Sequence, residues 1–217
     1  MPTTHQWGAF LLAAVLFIQV PGPSLLFTIG RALTVGRRDA LLSVVGNALG
    51  LTLQVLLVAA GLGAVVAASA TAYTVVKVVG AMYVVWLGVQ AVRRRGDARR
   101  ALEAQAHATA EVARRASPLT ALRIGATVGA TNPKTLVFFV AFLPQFTNAS
   151  GLPAGVQVAA LGLVFALLAV CSDSVWALAA SRARDWFTRR PERLDGLGAA
   201  GGSMMVALGT SMLVADR

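Results

Sequence analysis

Val20-Pro21-Gly22-Pro23-Ser24 interrupts one long apolar run, and Thr131-Asn132-Pro133-Lys134 interrupts another. Proline removes an amide donor and clashes with the preceding helical turn. In a bilayer such a break persists only where protein or a wet cavity satisfies the freed backbone groups. Pro23 stands sixteen residues past Trp7 and Pro133 fourteen past Leu119, the starts of their runs, so both breaks fall near mid-membrane. Interruptions at matching places in two halves of a chain point to a transporter's binding site.

The composition agrees with a membrane protein. The 217 residues are 57% hydrophobic and 13% charged, with mean hydropathy +0.71, whereas soluble domains carry about 25% charged residues. A net charge of +10 would suggest nucleic acid in a soluble chain. Here the basic residues lie between apolar spans, so the lipid bilayer surface is the expected partner and nucleic acid is not. Cys171 is the single cysteine, which excludes an internal disulfide and a cysteine metal cluster; no cofactor is expected. No Lys or Arg precedes Arg31, so the first apolar segment reads as a retained span rather than a cleaved leader.

Spans of about 17–25 residues are required, and six are read: Trp7–Gly30, Ala40–Val66, Ala72–Val92, Leu119–Phe146, Ala154–Ser181 and Leu197–Val214. The fold expected is all-α and polytopic, with helices one and four broken by proline. Arginines gather on one face. Arg31, Arg37 and Arg38 follow span one, eight from Arg93 to Arg123 follow span three, and five from Arg182 to Arg193 follow span five. All but Lys77, Lys134 and Arg217 of the 19 basic residues are thus accounted for. The connections 67–71 and 147–153 carry no charge. The positive-inside rule then puts both termini outside the cytoplasm.

Three spans per half is odd, so homologous halves must be inverted. Pro23 and Leu26 recur as Pro133 and Leu136, and Gly80, Val85, Leu87 and Gly88 recur as Gly201, Val206, Leu208 and Gly209. The expected organisation is a first three-helix repeat over 1–92, a basic cytoplasmic linker over 93–118 and a second repeat over 119–217. The linker is rich in Ala, Arg and Glu, has no strong apolar face, and reads as a solvated helix attracted to anionic lipid.

Ionisable groups inside a membrane are functional candidates by default, and there are three: Lys77, Lys134 and Asp173. Lys134, beside a restarting helix with free amides, makes an anion site suited to a substrate carboxylate; the alternative is a lysine paired with a nearby carbonyl to hold the broken helix. Asp173 could balance Lys134, bind a substrate amino group or carry a proton, or else pair with Arg182 or Arg184. Lys77 reads as a snorkelling residue. Pro21, Gly22, Pro23 and Ser24 frame the first break, where Pro23 suits the first helical position and Ser24 offers a hydroxyl. Asn132 and Pro133 frame the second. Asn47 and Gln54 share a face of span two, lining a cavity or bonding between helices. Gly46-x-x-x-Gly50 and Gly125-x-x-x-Gly129 read as close helix packing. Asn148-Ala149-Ser150 matches a glycosylation acceptor by chance.

Taken together, these residues resemble the LysE/RhtB family of bacterial amino-acid exporters. The matching elements are Pro21-Gly22-Pro23; Gly36, Gly46 and Gly50; Lys77, Gly80, Ala81 and Tyr83; Leu87-Gly88; Asn132-Pro133-Lys134; and Phe142-Leu143-Pro144-Gln145-Phe146. The family pattern often has Asn where this chain has Ser24. The resemblance implies efflux of amino acids or related metabolites across the bacterial inner membrane, driven by the proton gradient, with a homodimer left open. Two intramembrane lysines against one acid favour a neutral amino acid over a dibasic one. A passive channel for small solutes is the alternative. A membrane thiol carrier needs a pair of cysteines, and a serine enzyme at Gly201-Gly202-Ser203 lacks an adjacent base. No enzymatic activity is expected.

Overall fold

The computed structural model describes residues 1–20, 22–68, 70–93 and 117–183, with a few single positions beyond. Pro21, most of the predicted linker and most of the sixth predicted span lie outside the described residues, as does the Lys77 side chain. Among the described residues the structure is all-helical.

Helix α1 (Thr4–Gln19) starts at a capping box in which Thr3 and Gln6 satisfy each other's backbone amides. Helix α2 (Pro23–Thr34) resumes after the first interruption with proline at its first position. Gly36, at φ 107°, ends α2 with a turn that a side chain would strain. Helix α3 (Arg37–Ala68) follows this two-residue connection, and α4 (Ala70–Arg93) follows α3. After the linker come α5 (Pro118–Ala130) and α6 (Pro133–Val137), whose continuation to Phe146 is bent 44° from α5. That continuation is a π turn (Phe138–Phe142) and a 3₁₀ turn (Leu143–Phe146). Helix α7 (Ala154–Arg182) is the last continuous helix among the described residues.

Arg37–Gly61 and Ala154–Arg182 are each long and apolar enough to cross a membrane, and the two interrupted pairs qualify when each counts as one span. Leu12, Leu57, Leu167 and Val175 are about two-thirds exposed on these helices. Outward leucine and valine suit contact with lipid.

Two glycine pairs set the closest helix contact. A Cβ on Gly46 would strike the Leu122 carbonyl, and one on Gly50 the Ala126 carbonyl. Reciprocally, Gly125 abuts the Ser43 carbonyl and Gly129 that of Asn47. Residue numbers rise together on both sides, so α3 and α5 run parallel, backbone against backbone. The small-residue patterns do mark packing. Bringing these helices together carries Asn47 to the second interruption.

Two apolar clusters lie along the bundle. One is aromatic, with Phe10, Phe17, Phe138, Phe139 and Phe165. The other holds Leu25, Ile29 and Leu33 of α2 against Ala40, Ala177 and Ala180. The buried polar groups Asn47, Asn132, Lys134 and Asp173 form a separate set.

Candidate functional site

The site forms where two helix ends meet. A helix leaves its last carbonyls without intrahelical donors. The regular partner of the Phe17 carbonyl would be the amide of residue 21, which is proline and has none. Phe17 O takes a long bond from the Val20 amide, 3.3 Å, and has room for a stronger donor. Lys134 supplies it. Its Nζ donates to Phe17 O at 2.7 Å and to Val20 O at 2.6 Å, and lies 4.4 Å from the centre of the Phe17 ring. Helix C-terminal carbonyls carry partial negative charge, and an ammonium donor strengthens each bond. The lysine stem crosses Gly22, where an added Cβ would come within 2.7 Å of Lys134 Cδ.

This contact is the alternative that the sequence left open for Lys134: in this conformation the ammonium holds the broken helix through backbone carbonyls. The groups the ammonium touches here are acceptors, so an anion at Lys134 would share the ammonium with them or displace it.

A hydrogen-bonded chain runs from the second interruption to Asp173, and one backbone amide sets its direction. Asn132 is the N-cap of α6, so its Oδ1 accepts from the Lys134 N–H, 3.0 Å. The Asn132 Nδ2 must then face outward, and it donates to Ser24 Oγ at 2.7 Å. Ser24 donates onward to Asn47 Oδ1 at 3.0 Å. That leaves Asn47 Nδ2 to donate to Asp173 Oδ2 at 3.4 Å. A fixed N–H donor thus orients both amides and makes Asp173 the terminal acceptor.

Gly22, Ser24, Asn47, Asn132, Lys134 and Asp173 line one cavity of about 30 Å³, with Phe17 and Phe165 on its apolar side. A void of that size holds a water molecule or two. Pro23 and Pro133 open their helices and are not among the lining residues; Pro21 lies outside the described residues. The structure therefore brings together six of the nine residues singled out in the sequence, drawn from four helices.

Two supporting residues escaped the site reading. Gln54 Nε2 donates to Ala130 O at 3.2 Å and Asn132 O at 3.1 Å, clamping the carbonyls at the break. Thr135 Oγ1 lies 2.8 Å from Gln54 Oε1 and donates to it. Gln54 was visible as an interhelical candidate, one face with Asn47. Thr135 stands three residues after the capping Asn132, a spacing that brings its hydroxyl within 3.1 Å of the Asn132 carbonyl. The π turn at Phe138–Phe142 carries no sequence signature of its own. It sets the Phe138 ring 4.3 Å from Phe17 and 5.0 Å from Phe165. Among the described residues no cluster of His, Cys, Asp and Glu could hold a metal ion.

The LysE type translocator family matches residues 15–216. The chain is 38% identical over 144 residues, 66% of each chain, to an uncharacterized membrane protein of Vibrio cholerae. It is 30% identical over 207 residues, 95% of each chain, to the homoserine/homoserine lactone efflux protein of Salmonella typhimurium. It is also 30% identical over 176 residues to the leucine efflux protein of Klebsiella pneumoniae, covering 79% of this chain and 77% of that one. No solved structure matches. The chain belongs to the LysE type translocator family, and is a multi-pass membrane transporter rather than an enzyme.

Proposed function

We propose that this protein exports an amino acid or related small metabolite from the cytoplasm by proton antiport, across the bacterial inner membrane. The observation that carries the reading is the shared cavity: a buried ammonium and a buried carboxylate meet there beside two interrupted helices. A zwitterionic solute needs both signs of charge. The cargo carboxylate would meet the backbone amides after Gly22, the uncapped start of α2, and the Lys134 ammonium once released. Asp173 would receive the amino group or the coupling proton. The relatives named for leucine and homoserine efflux support a cargo without a second positive charge.

The architecture we propose around this site is six spans in two inverted repeats, 1–92 and 119–217, joined by the basic segment 93–118, with both termini outside the cytoplasm. The parallel run of α3 and α5 supports it. Span one precedes the tight Val35-Gly36 connection and runs against α3; span four contains α5 and runs with it. The two interrupted spans then cross in opposite directions. The cavity is far below the ~300 Å³ at which ligand pockets begin. That supports a carrier that changes shape over an open passive channel.

An efflux screen tests the reading. Cells lacking their own exporters are loaded with dipeptides, and excreted amino acids are measured with and without this protein. Faster excretion of at least one neutral amino acid is expected. No acceleration of any amino acid, despite confirmed membrane insertion, would sink the proposal.

A further inference from the structure

Lys134 does not behave like a residue waiting for an anion. Its ammonium sits in a three-sided cage built from the Phe17 carbonyl, the Val20 carbonyl and the face of the Phe17 ring. Every wall is a group that favours an organic cation. Two carbonyls at a helix C-terminus supply acceptors and partial negative charge, and an aromatic face attracts ammonium through its quadrupole. The cage exists because of the interruption, since Pro21 denies Phe17 O its helical donor. An ammonium has three N–H groups, and the two carbonyls take two of them.

We propose that this carbonyl cage is the recognition site for the cargo's primary ammonium, and that Lys134 is its tethered occupant between transport cycles. Asp173 then stands as the neighbouring acceptor across the cavity rather than the main ammonium ligand. Cargo binding is an exchange of like for like. The incoming ammonium takes the two carbonyls, and the displaced Lys134 ammonium turns onto the cargo carboxylate in the same cavity. Neither charge is left unpaired in the low-dielectric interior, where an unpaired charge is costly. Glycine at position 22 keeps the lane over which the lysine stem lies. The class of solute selected is one carrying a primary ammonium next to an anionic group. The identity of that solute rests on the exporter reading; the cage does not.

The cage can be tested without knowing the cargo. Lys134→Ala removes Cγ, Cδ, Cε and Nζ, the same heavy-atom set as n-propylammonium. The full-length variant is purified in detergent, and its melting temperature is followed against n-propylammonium chloride, with tetramethylammonium chloride and sodium chloride as matched-ionic-strength controls. A saturable rise of several degrees with n-propylammonium is expected for the variant, with little change in the wild-type protein, whose cage is filled. No saturable rise in the folded variant overturns the assignment. An equal rise with sodium also overturns it, by making the cage an inorganic-cation site. If Lys134→Ala does not yield folded protein, Lys134→Met keeps the stem over Gly22 and lacks the charged head. Ammonium chloride should then stabilise it where sodium chloride does not, and equal effects of the two salts reject the proposal. A negative result here with a positive efflux screen leaves the exporter reading standing and moves the ammonium site elsewhere.

Discussion

At the scale of single residues, the site is governed by which atoms must donate. The Lys134 N–H compels Asn132 to present its oxygen, and each later partner follows to Asp173. Asn132→Asp tests this directly. It keeps the capping oxygen and replaces the Nδ2 donor with a second acceptor facing Ser24. We expect its melting temperature to stay above that of Asn132→Ala, which loses the cap at a cost of ~1 kcal/mol. We also expect export to fall at least as far as in the alanine variant, because the chain to Asp173 is broken. An aspartate variant with wild-type export would show that the direction of the chain is irrelevant. Asp173→Asn retains an acceptor for Asn47 and abolishes the ionisable group. In proteoliposomes loaded with the exported amino acid, an imposed pH gradient should then no longer speed transport. Undiminished gradient dependence would remove Asp173 as the proton carrier.

Among the helices, the decisive contact is α3 on α5. At Gly129 an added Cβ meets the Asn47 carbonyl, and backbone cannot move aside as a side-chain tip can. Gly129→Ala should lower thermal stability by ~1–3 kcal/mol, the range for overpacking. It should also disturb transport, because Asn47 is displaced from Ser24. Gly61→Ala is the control: among the described residues nothing lies within 4 Å of its Cβ position, and alanine's better helix propensity makes the change neutral or favourable by up to ~1 kcal/mol. Equal melting temperatures for the two variants would refute the packing argument. These patterns were legible as packing because glycine four residues apart on an apolar helix has few other uses. The π turn at Phe138–Phe142 was not legible, because its phenylalanines and alanine fit an ordinary helix equally well. It forms where Phe138 packs against Phe17 and Phe165, and Phe142 against Phe17, from other helices.

At the scale of the whole molecule, a cavity of about 30 Å³ is too small for an amino acid, so the proposed binding there requires the helices to move apart. Trp176 Nε1 donates to Gln19 Oε1 at 3.0 Å, tying α7 to the end of α1 beside the first interruption. Replacing both with cysteine, in a Cys171→Ser background, allows α1 and α7 to be cross-linked. Export should stop on oxidation and return on reduction; unchanged export by the cross-linked protein would place the moving boundary elsewhere. By itself the sequence determined the membrane class and the all-helical character, and it singled out six of the residues that line the cavity. Those follow from local properties: apolar length, proline's missing amide and the cost of charge in lipid. Only the tertiary structure decided what the charged groups touch. Whether Lys134 faces an anion or a helix end depends on Phe17 and Val20, more than a hundred residues away. The atoms that answer it are backbone carbonyls, which every residue carries and no sequence pattern singles out.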